Sequence, residues 1–357
     1  MKNLLIIHTL LCAILAGCTL NAHAETRDEI AAIGQAVGAK GKFQYWTKDS
    51  APLQQLKAFV KSVTDRKSPD WVAPEERIAV FDLDGTLVCE TAPSYFEWMM
   101  YLHRVMHDKN FHPTAEQLAT ARVIHDAVYK RAVPSDMMWT EAIAQNEVFG
   151  GMTPSEYRAY VEKFMKAPVE GMKNLQWGEA IYLPMAEVVG YLAANGFRTY
   201  VVSGSERQVT RIYAVGAMAF EPSHIIGSDI TTTASAQGDA EGWNYSFKPT
   251  DEIVRGPLYV KNLKMNKVSA IHREIGVQPI LAFGNSSGDF SMFEYTTGRN
   301  AHKSMAFCVL ADDTEREFGN PDKALTMSKT CREHGWQTIS MRNDFLTIYG
   351  KKVKKDK

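Results

Sequence analysis

"IAVFDLDGTLVCE", residues 78–90, runs four apolar residues into Asp82 and Asp84, follows them with Gly85 and Thr86, and then turns apolar again. A continuous rather than alternating apolar run reads as a strand buried on both faces, as in a parallel sheet. Residues 77–81 are therefore predicted to be a core strand that ends in two carboxylates. Strand patterns return at "FRTYVVSGS", "SHIIGSDI", "QPILAFGNSSGD" and "SMAFCVL", with helical stretches such as "NKVSAIHREIG" between them. Strands alternating with helices predict an α/β fold, a Rossmann-like parallel sheet with helices on both faces. Residues 91–194 are helical in pattern, with segments such as "SYFEWMMYLHRVM" and "TAEQLATARVIHDAVYKRA", and read as a block inserted after the first strand. "TTTASAQGDAEGWNYSFKPTDE" is polar and turn-rich and predicts a loop with a small hairpin. No internal repeat is visible.

Residues 1–24 read as an export signal rather than as fold: one cation, Lys2, an apolar stretch from Leu4 to Ala16, then "LAGC" and "NAHAE". The stretch is shorter than the roughly 18 residues of a spanning helix. Two processing sites compete. "LAGC" resembles a bacterial lipobox, which would lipidate Cys18 and make it the mature N-terminus; "AHA" before Glu25 would release a soluble protein. The lipobox is preferred, and Thr19 after the cysteine then predicts an outer-membrane lipoprotein facing the periplasm. Residues 25–76 form an N-terminal extension with one amphipathic stretch, "PLQQLKAFVKSV". The catalytic core is assigned to residues 77–90 and 195–345.

The formal net charge of −1, with signs interspersed, argues against a nucleic-acid surface, which needs a clustered basic footprint. Contact with a membrane is expected only through the lipid anchor. Of five cysteines, Cys89, Cys308 and Cys331 lie beyond the export segment, too few for a disulfide framework. Cys308 with Cys331 is the pair to entertain as a bridge in an oxidising compartment.

In an open α/β sheet, ligands sit beyond the carboxyl ends of the strands. Three of the predicted strands end there in polar groups: Asp82 and Asp84, Ser203, and Asn285 with Asp289. These residue types suit phosphoryl transfer. One carboxylate can attack phosphorus to give an acyl phosphate that water resolves, and a second can protonate the leaving oxygen. Three carboxylates repel a phosphate dianion, so a hard cation is required, and oxygen ligands suit Mg²⁺. Gly85 and Gly204 let backbone N–H groups approach phosphate oxygens, while Thr86 and Ser203 offer hydroxyls and a lysine the remaining positive charge.

These residues resemble the motifs of the haloacid dehalogenase-like superfamily, most closely its phosphoserine-phosphatase-like branch. "DLDGT" is similar to the first motif, "VVSGS" to the second, Lys267 in "NKVSAIHREIG" to the third and "GNSSGDFSMF" to the fourth, in order across roughly residues 77–310. The resemblance implies an Mg²⁺-dependent phosphomonoesterase acting on a small phosphorylated metabolite, with a helical cap inserted between the first two motifs. It implies Asp82 as nucleophile and Asp84 as general acid/base, with Ser203 and Lys267 holding the phosphoryl group. Asp82, the Asp84 main-chain carbonyl and Asp289 would bind the metal. Asn285 stands where the fourth motif often has aspartate, which removes one negative charge; it is retained as a metal-site residue. Lys261 and Lys264 are rivals for the third motif, and Lys267 is preferred because it opens the helix leading to the fourth strand. A phosphotransferase, or a non-catalytic surface lipoprotein retaining the fold, are the alternatives.

Taken alone, "DG" is an ordinary turn after a strand; its three companion motifs decide against that reading. His103 and His107, at i, i+4 with His112 nearby, lack an acidic helper and read as a solvated helix face. Tyr95, Phe96, Trp98 and Trp139 read first as apolar core of the inserted block. Glu90 suggests substrate chemistry, since amine-recognising relatives carry an acidic residue near this point, although its offset is one short of the phosphoserine phosphatase pattern. With Tyr95 and Trp98 close behind, it predicts a seat for an ammonium group on the substrate.

Overall fold

The computed structural model of the protein describes residues 23–134 and 136–356, so Cys18 and the export segment before His23 lie outside the described residues. Seven strands form one sheet: β1 (Ile78–Phe81), β2 (Arg198–Glu206), β3 (Ile225–Ala234), β4 (Ile253–Val260), β5 (Leu281–Gly284), β6 (Met305–Leu310) and β7 (Gln337–Ser340). Their order is β4-β3-β2-β1-β5-β6-β7, parallel throughout except for β4, which runs antiparallel to β3. The predicted α/β architecture is the observed one. β1 lies in the middle, with Phe81 beside Val201 on one flank and Phe283 on the other. All four of its residues are buried, which is why its apolar run does not alternate.

Helices cover both faces, and the sheet residues divide accordingly. Phe81, Val201, Phe283 and Val309 face the core beneath α1 (Arg27–Val37), α2 (Ala51–Thr64), α7 (Leu183–Ala194) and α8 (Arg207–Ala214). Val80, Val202, Ala282 and Cys308 face that beneath α9 (Met265–Glu274), α10 (Phe290–Thr297) and α11 (Pro321–His334). The face alternates residue by residue, as the pleat requires.

Between β1 and β2 the chain builds α3 (Phe96–Met106), α4 (Ala115–Tyr129), α5 (Met137–Val148) and α6 (Pro154–Phe164) before α7 returns it to the sheet. α4 and α6 begin on reciprocal capping boxes, Thr114 with Gln117 and Thr153 with Glu156, each satisfying backbone donors at its helix start. α1 lies against α7, so the N-terminal extension packs on the fold.

The polar segment departs from expectation. Thr231–Ala234 continue β3, and "IVRGPLYV" forms β4, giving a long hairpin rather than a loop with a small one. Pro257 and Gly256 hide β4 in the sequence. An edge strand tolerates both, because one of its sides has no ladder to complete. Cys308 and Cys331 are adjacent buried free thiols. Trp139 is 53% exposed, contrary to its reading as core. No helix among the described residues is long and apolar enough to cross a membrane.

Candidate active site

Asp82 follows β1 directly, and its N–H donates to Phe283 O at 2.8 Å, so the nucleophile candidate hangs from the β1–β5 ladder. Beyond Asp84 the chain reverses at Gly85 (φ 73°), whose N–H donates to Val88 O at 2.8 Å. That left-handed conformation is open to glycine at little cost.

Lys267, in the first turn of α9 and 1% exposed, carries its Nζ to 2.6 Å from Asp82 Oδ1 and 2.7 Å from Asp289 Oδ1. Among the three rival lysines it alone bridges two of the carboxylates. Lys264 is exposed at the N-cap of α9, and Lys261 lines the cavity with no carboxylate within 4 Å among the described residues. Asp289 Oδ2 accepts the N–H groups of Asn285 (3.0 Å) and Ser286 (3.1 Å), which fixes the fourth-motif turn. Asp84 Oδ2 accepts from Ser205 Oγ at 2.7 Å.

A cavity of about 40 Å³ opens between these groups, walled by Asp82, Asp84, Gly204, Lys267, Asn285 and Asp289. Two expected hydroxyls do not reach it. Ser203 is fully buried and its Oγ accepts the Ser205 N–H at 3.0 Å, so the hydroxyl on the wall is that of Ser205. Thr86 is also fully buried, outside the wall, its hydroxyl without a partner among the described residues. A small difference in where a turn begins decides which serine faces the ligand, and no periodicity encodes that.

Burial sets the electrostatics. It pushes the Asp82 carboxyl up to about 7; the charge of Asp289 adds to this and the Lys267 ammonium opposes it. Asp84 is also pushed up to about 7, chiefly by burial, against the Ser205 hydrogen bond and with Glu97 and Glu90 adding charge. Burial works against the Lys267 ammonium, but Asp289 and Asp82 more than offset it and raise its pKa. A carboxyl close to neutrality is suited to giving and taking a proton.

From the inserted helices and the turn before them, Tyr95, Glu97, Trp98 and Met138 close the cavity on the side of Asp84. Glu97 and Glu141 were not singled out in the sequence. Both are buried; Glu97 Oε1 accepts the Glu206 N–H at 3.0 Å, and neither Glu141 oxygen has a partner among the described residues. Glu90 also lines this cavity. Its carboxylate faces the Asn285 amide nitrogen across Gly85, and it lines a second cavity of about 290 Å³ that also borders Tyr95, Arg131, Phe318 and Lys323. Glu90, Tyr95 and Trp98, expected to form an ammonium seat, all line the cavity of Asp82 and Asp84.

The donor set fits a hard cation. It is oxygen-only, it is crowded with buried carboxylates, and Asn285 adds an uncharged amide oxygen. Asp289 is the least open of the expected ligands, since Lys267 engages one of its oxygens and two backbone amides the other. Among the described residues no three His, Cys, Asp or Glu side chains form a metal-holding group, as expected where a carbonyl and an amide complete the set.

The sequence profile of the haloacid dehalogenase-like hydrolases matches residues 79–294. No curated protein matches the chain. Among solved structures, a conserved protein of unknown function from Anaerococcus prevotii is similar at 12% identity and a TM-score of 0.51, covering 85% of this chain and 96% of its own. A protein of unknown function from Bordetella pertussis reaches 0.46 at 18% identity, covering 74% and 98%. A phosphoserine phosphohydrolase-like protein from Francisella tularensis reaches 0.41 at 13%, covering 74% and 94%. At these identities the likeness is one of fold.

Proposed function

Because the chain belongs to the haloacid dehalogenase-like hydrolases, we propose that it is an Mg²⁺-dependent phosphomonoesterase working through an aspartyl phosphate on Asp82. The observation that carries this reading is the ammonium of Lys267, held between Asp82 and Asp289 in the same small cavity as Asp84. Asp82 Oδ attacks phosphorus as the ester P–O bond breaks, and Asp84 gives its proton to the leaving oxygen. Asp84 then takes a proton from water, which attacks phosphorus and returns Asp82 as a carboxylate with release of phosphate. Ser205 orients Asp84 for both transfers. Lys267 holds Asp82 in place and offsets phosphoryl charge. Mg²⁺, held by Asp82, the Asp84 carbonyl and Asn285, with Asp289 adjoining, would supply Lewis-acid neutralisation of the phosphoryl oxygens. The test is Mg²⁺-dependent phosphate release from an aryl phosphate, with and without Asp82; release unaffected by exhaustive chelation would refute it.

Helices α3 to α6 serve as the cap over the site. The leaving group lies on their side, between Tyr95, Trp98 and Glu97, with Glu141 behind. Carboxylates outnumber Lys261 and Lys267 there, which supports a small substrate bearing an amine, seated at Glu97, whose second oxygen is not taken up by the Glu206 N–H. Glu97→Gln should then lower kcat/KM for an aminoalkyl phosphate by about tenfold more than for its hydroxyl analogue. An equal effect on both esters would remove the amine from this reading.

A further inference from the structure

The turn after β1 brings together two side chains from distant parts of the chain. A Cβ placed on Gly85 would fall 1.9 Å from Asn285 Nδ2 and 2.4 Å from Glu90 Cδ, so the amide and the carboxylate meet directly over the glycine. The Asn285 amide nitrogen therefore faces the Glu90 carboxylate across Gly85. An asparagine side chain has one donor end and one acceptor end, and a partner that accepts hydrogen bonds fixes which way round it sits. With Nδ2 turned to Glu90, Oδ1 is turned away from it. Asn285 is 8% exposed and, like the half-buried Glu90, lines the cavity of Asp82 and Asp84, so water competes little for the amide.

We infer that Glu90 is the positioning residue for Asn285: it holds the amide with its oxygen toward the cation site. This rests on the cation reading above. The pair also explains how the chain works with asparagine at this position. A carboxylate at 285 would face the Glu90 carboxylate across Gly85, two like charges in contact. An amide removes that repulsion and leaves Glu90 as the acidic group directly behind the ligand. Outer partners of metal ligands typically control affinity by about 10- to 100-fold.

The experiment is a cycle of Glu90→Gln, Asn285→Asp and the double variant in the full chain, read by calorimetric Mg²⁺ titration and by thermal unfolding in chelator. Glu90→Gln should weaken Mg²⁺ binding at least about tenfold, since glutamine no longer dictates the amide orientation. Asn285→Asp should lower the unfolding temperature of the chelated protein through the like-charge contact. The double variant, in which the amide introduced at position 90 can donate to the carboxylate introduced at 285, should recover both quantities toward wild type. Wild-type Mg²⁺ affinity in Glu90→Gln, or additive effects in the double variant, would overturn the inference. If the wild-type protein binds no Mg²⁺, the cation reading fails and the positioning role fails with it. The unfolding arm then still shows whether the two side chains are coupled, and separates a purely structural pair from no pair at all.

Discussion

At the scale of single residues, the site gathers buried charges, most of them paired. Lys267 neutralises Asp82 and Asp289 at 2.6 and 2.7 Å. Lys267→Met should therefore leave two buried carboxylates without a cation and destabilise the protein by about 3 kcal/mol, measured by urea unfolding at pH 7. A shift below about 0.5 kcal/mol would show that the pair contributes nothing to folding. Asp82→Asn keeps shape and burial but cannot form the acyl phosphate, so kcat on an aryl phosphate should fall by about 10³-fold or more while the circular dichroism spectrum is unchanged. Asp82, Asp84, Lys267 and Asp289 were legible in the sequence because motif order tied each to a strand end or helix start. Ser205, Glu97 and Glu141 were not, because what distinguishes them is which neighbour they meet, Asp84 at 2.7 Å in the case of Ser205.

At the scale of elements, the β3–β4 hairpin clasps the inserted helices. Arg255 on β4 exchanges backbone hydrogen bonds with the α5–α6 turn: its N–H donates to Met152 O and its carbonyl accepts from Gly151, both at 2.9 Å. Its guanidinium pairs with Glu206 at 3.2 Å, reaches Asn146 of α5 at 3.3 Å and lies 3.6 Å from the Tyr157 ring centroid of α6. Arg255→Met should speed amide exchange across α5 and α6 while sparing α9 and α10, because it cuts the ties between the hairpin and those helices only. Uniform exchange changes would point to global destabilisation instead. A second joint ties the N-terminal extension to α7, where Glu187 accepts the N–H groups of Gln44 (2.7 Å) and Tyr45 (3.1 Å). Burial pushes its carboxyl up to about 7 against those two hydrogen bonds. A carboxyl whose folded pKa exceeds its unfolded value binds its proton more tightly when folded. Its stabilising contribution is complete below about pH 4.5 and is lost as pH rises through 7. Wild type should thus lose on the order of 2 kcal/mol relative to Glu187→Gln between about pH 4.5 and about pH 8. A difference independent of pH would show that the folded pKa is not raised.

At the scale of the whole molecule, the proposed catalytic groups come from the ends of β1, β2 and β5 and from the start of α9, with the inserted helices beside them, so activity should depend on one assembled unit. Removing the cation with chelator should abolish phosphate release and Mg²⁺ should restore it. Asp289→Ala should greatly blunt that rescue, because the fourth-motif turn loses the acceptor of its two amides. Placement in the cell rests on residues before the described fold. If the lipobox is used, labelled fatty acid should enter the protein and Cys18→Ser should block it. A mature N-terminus at Glu25 would establish the soluble form instead.

Periodicity and motif order by themselves determined the α/β class, the doubly buried strand "IAVF", the helical insertion and the main acidic and basic residues of the site. These follow from local rules: a doubly buried strand is apolar throughout, and a phosphoryl site at strand ends needs particular residue types at particular offsets. Tertiary structure decided the rest. It placed the edge strand β4, whose proline and glycine are tolerated because it has one neighbour. It chose Ser205 over Ser203 for the cavity wall and set Glu90 against Asn285, from a distant stretch of the chain. Contacts of that range depend on how the turns at the ends of β1, β2 and β5 converge, which no stretch of sequence specifies alone.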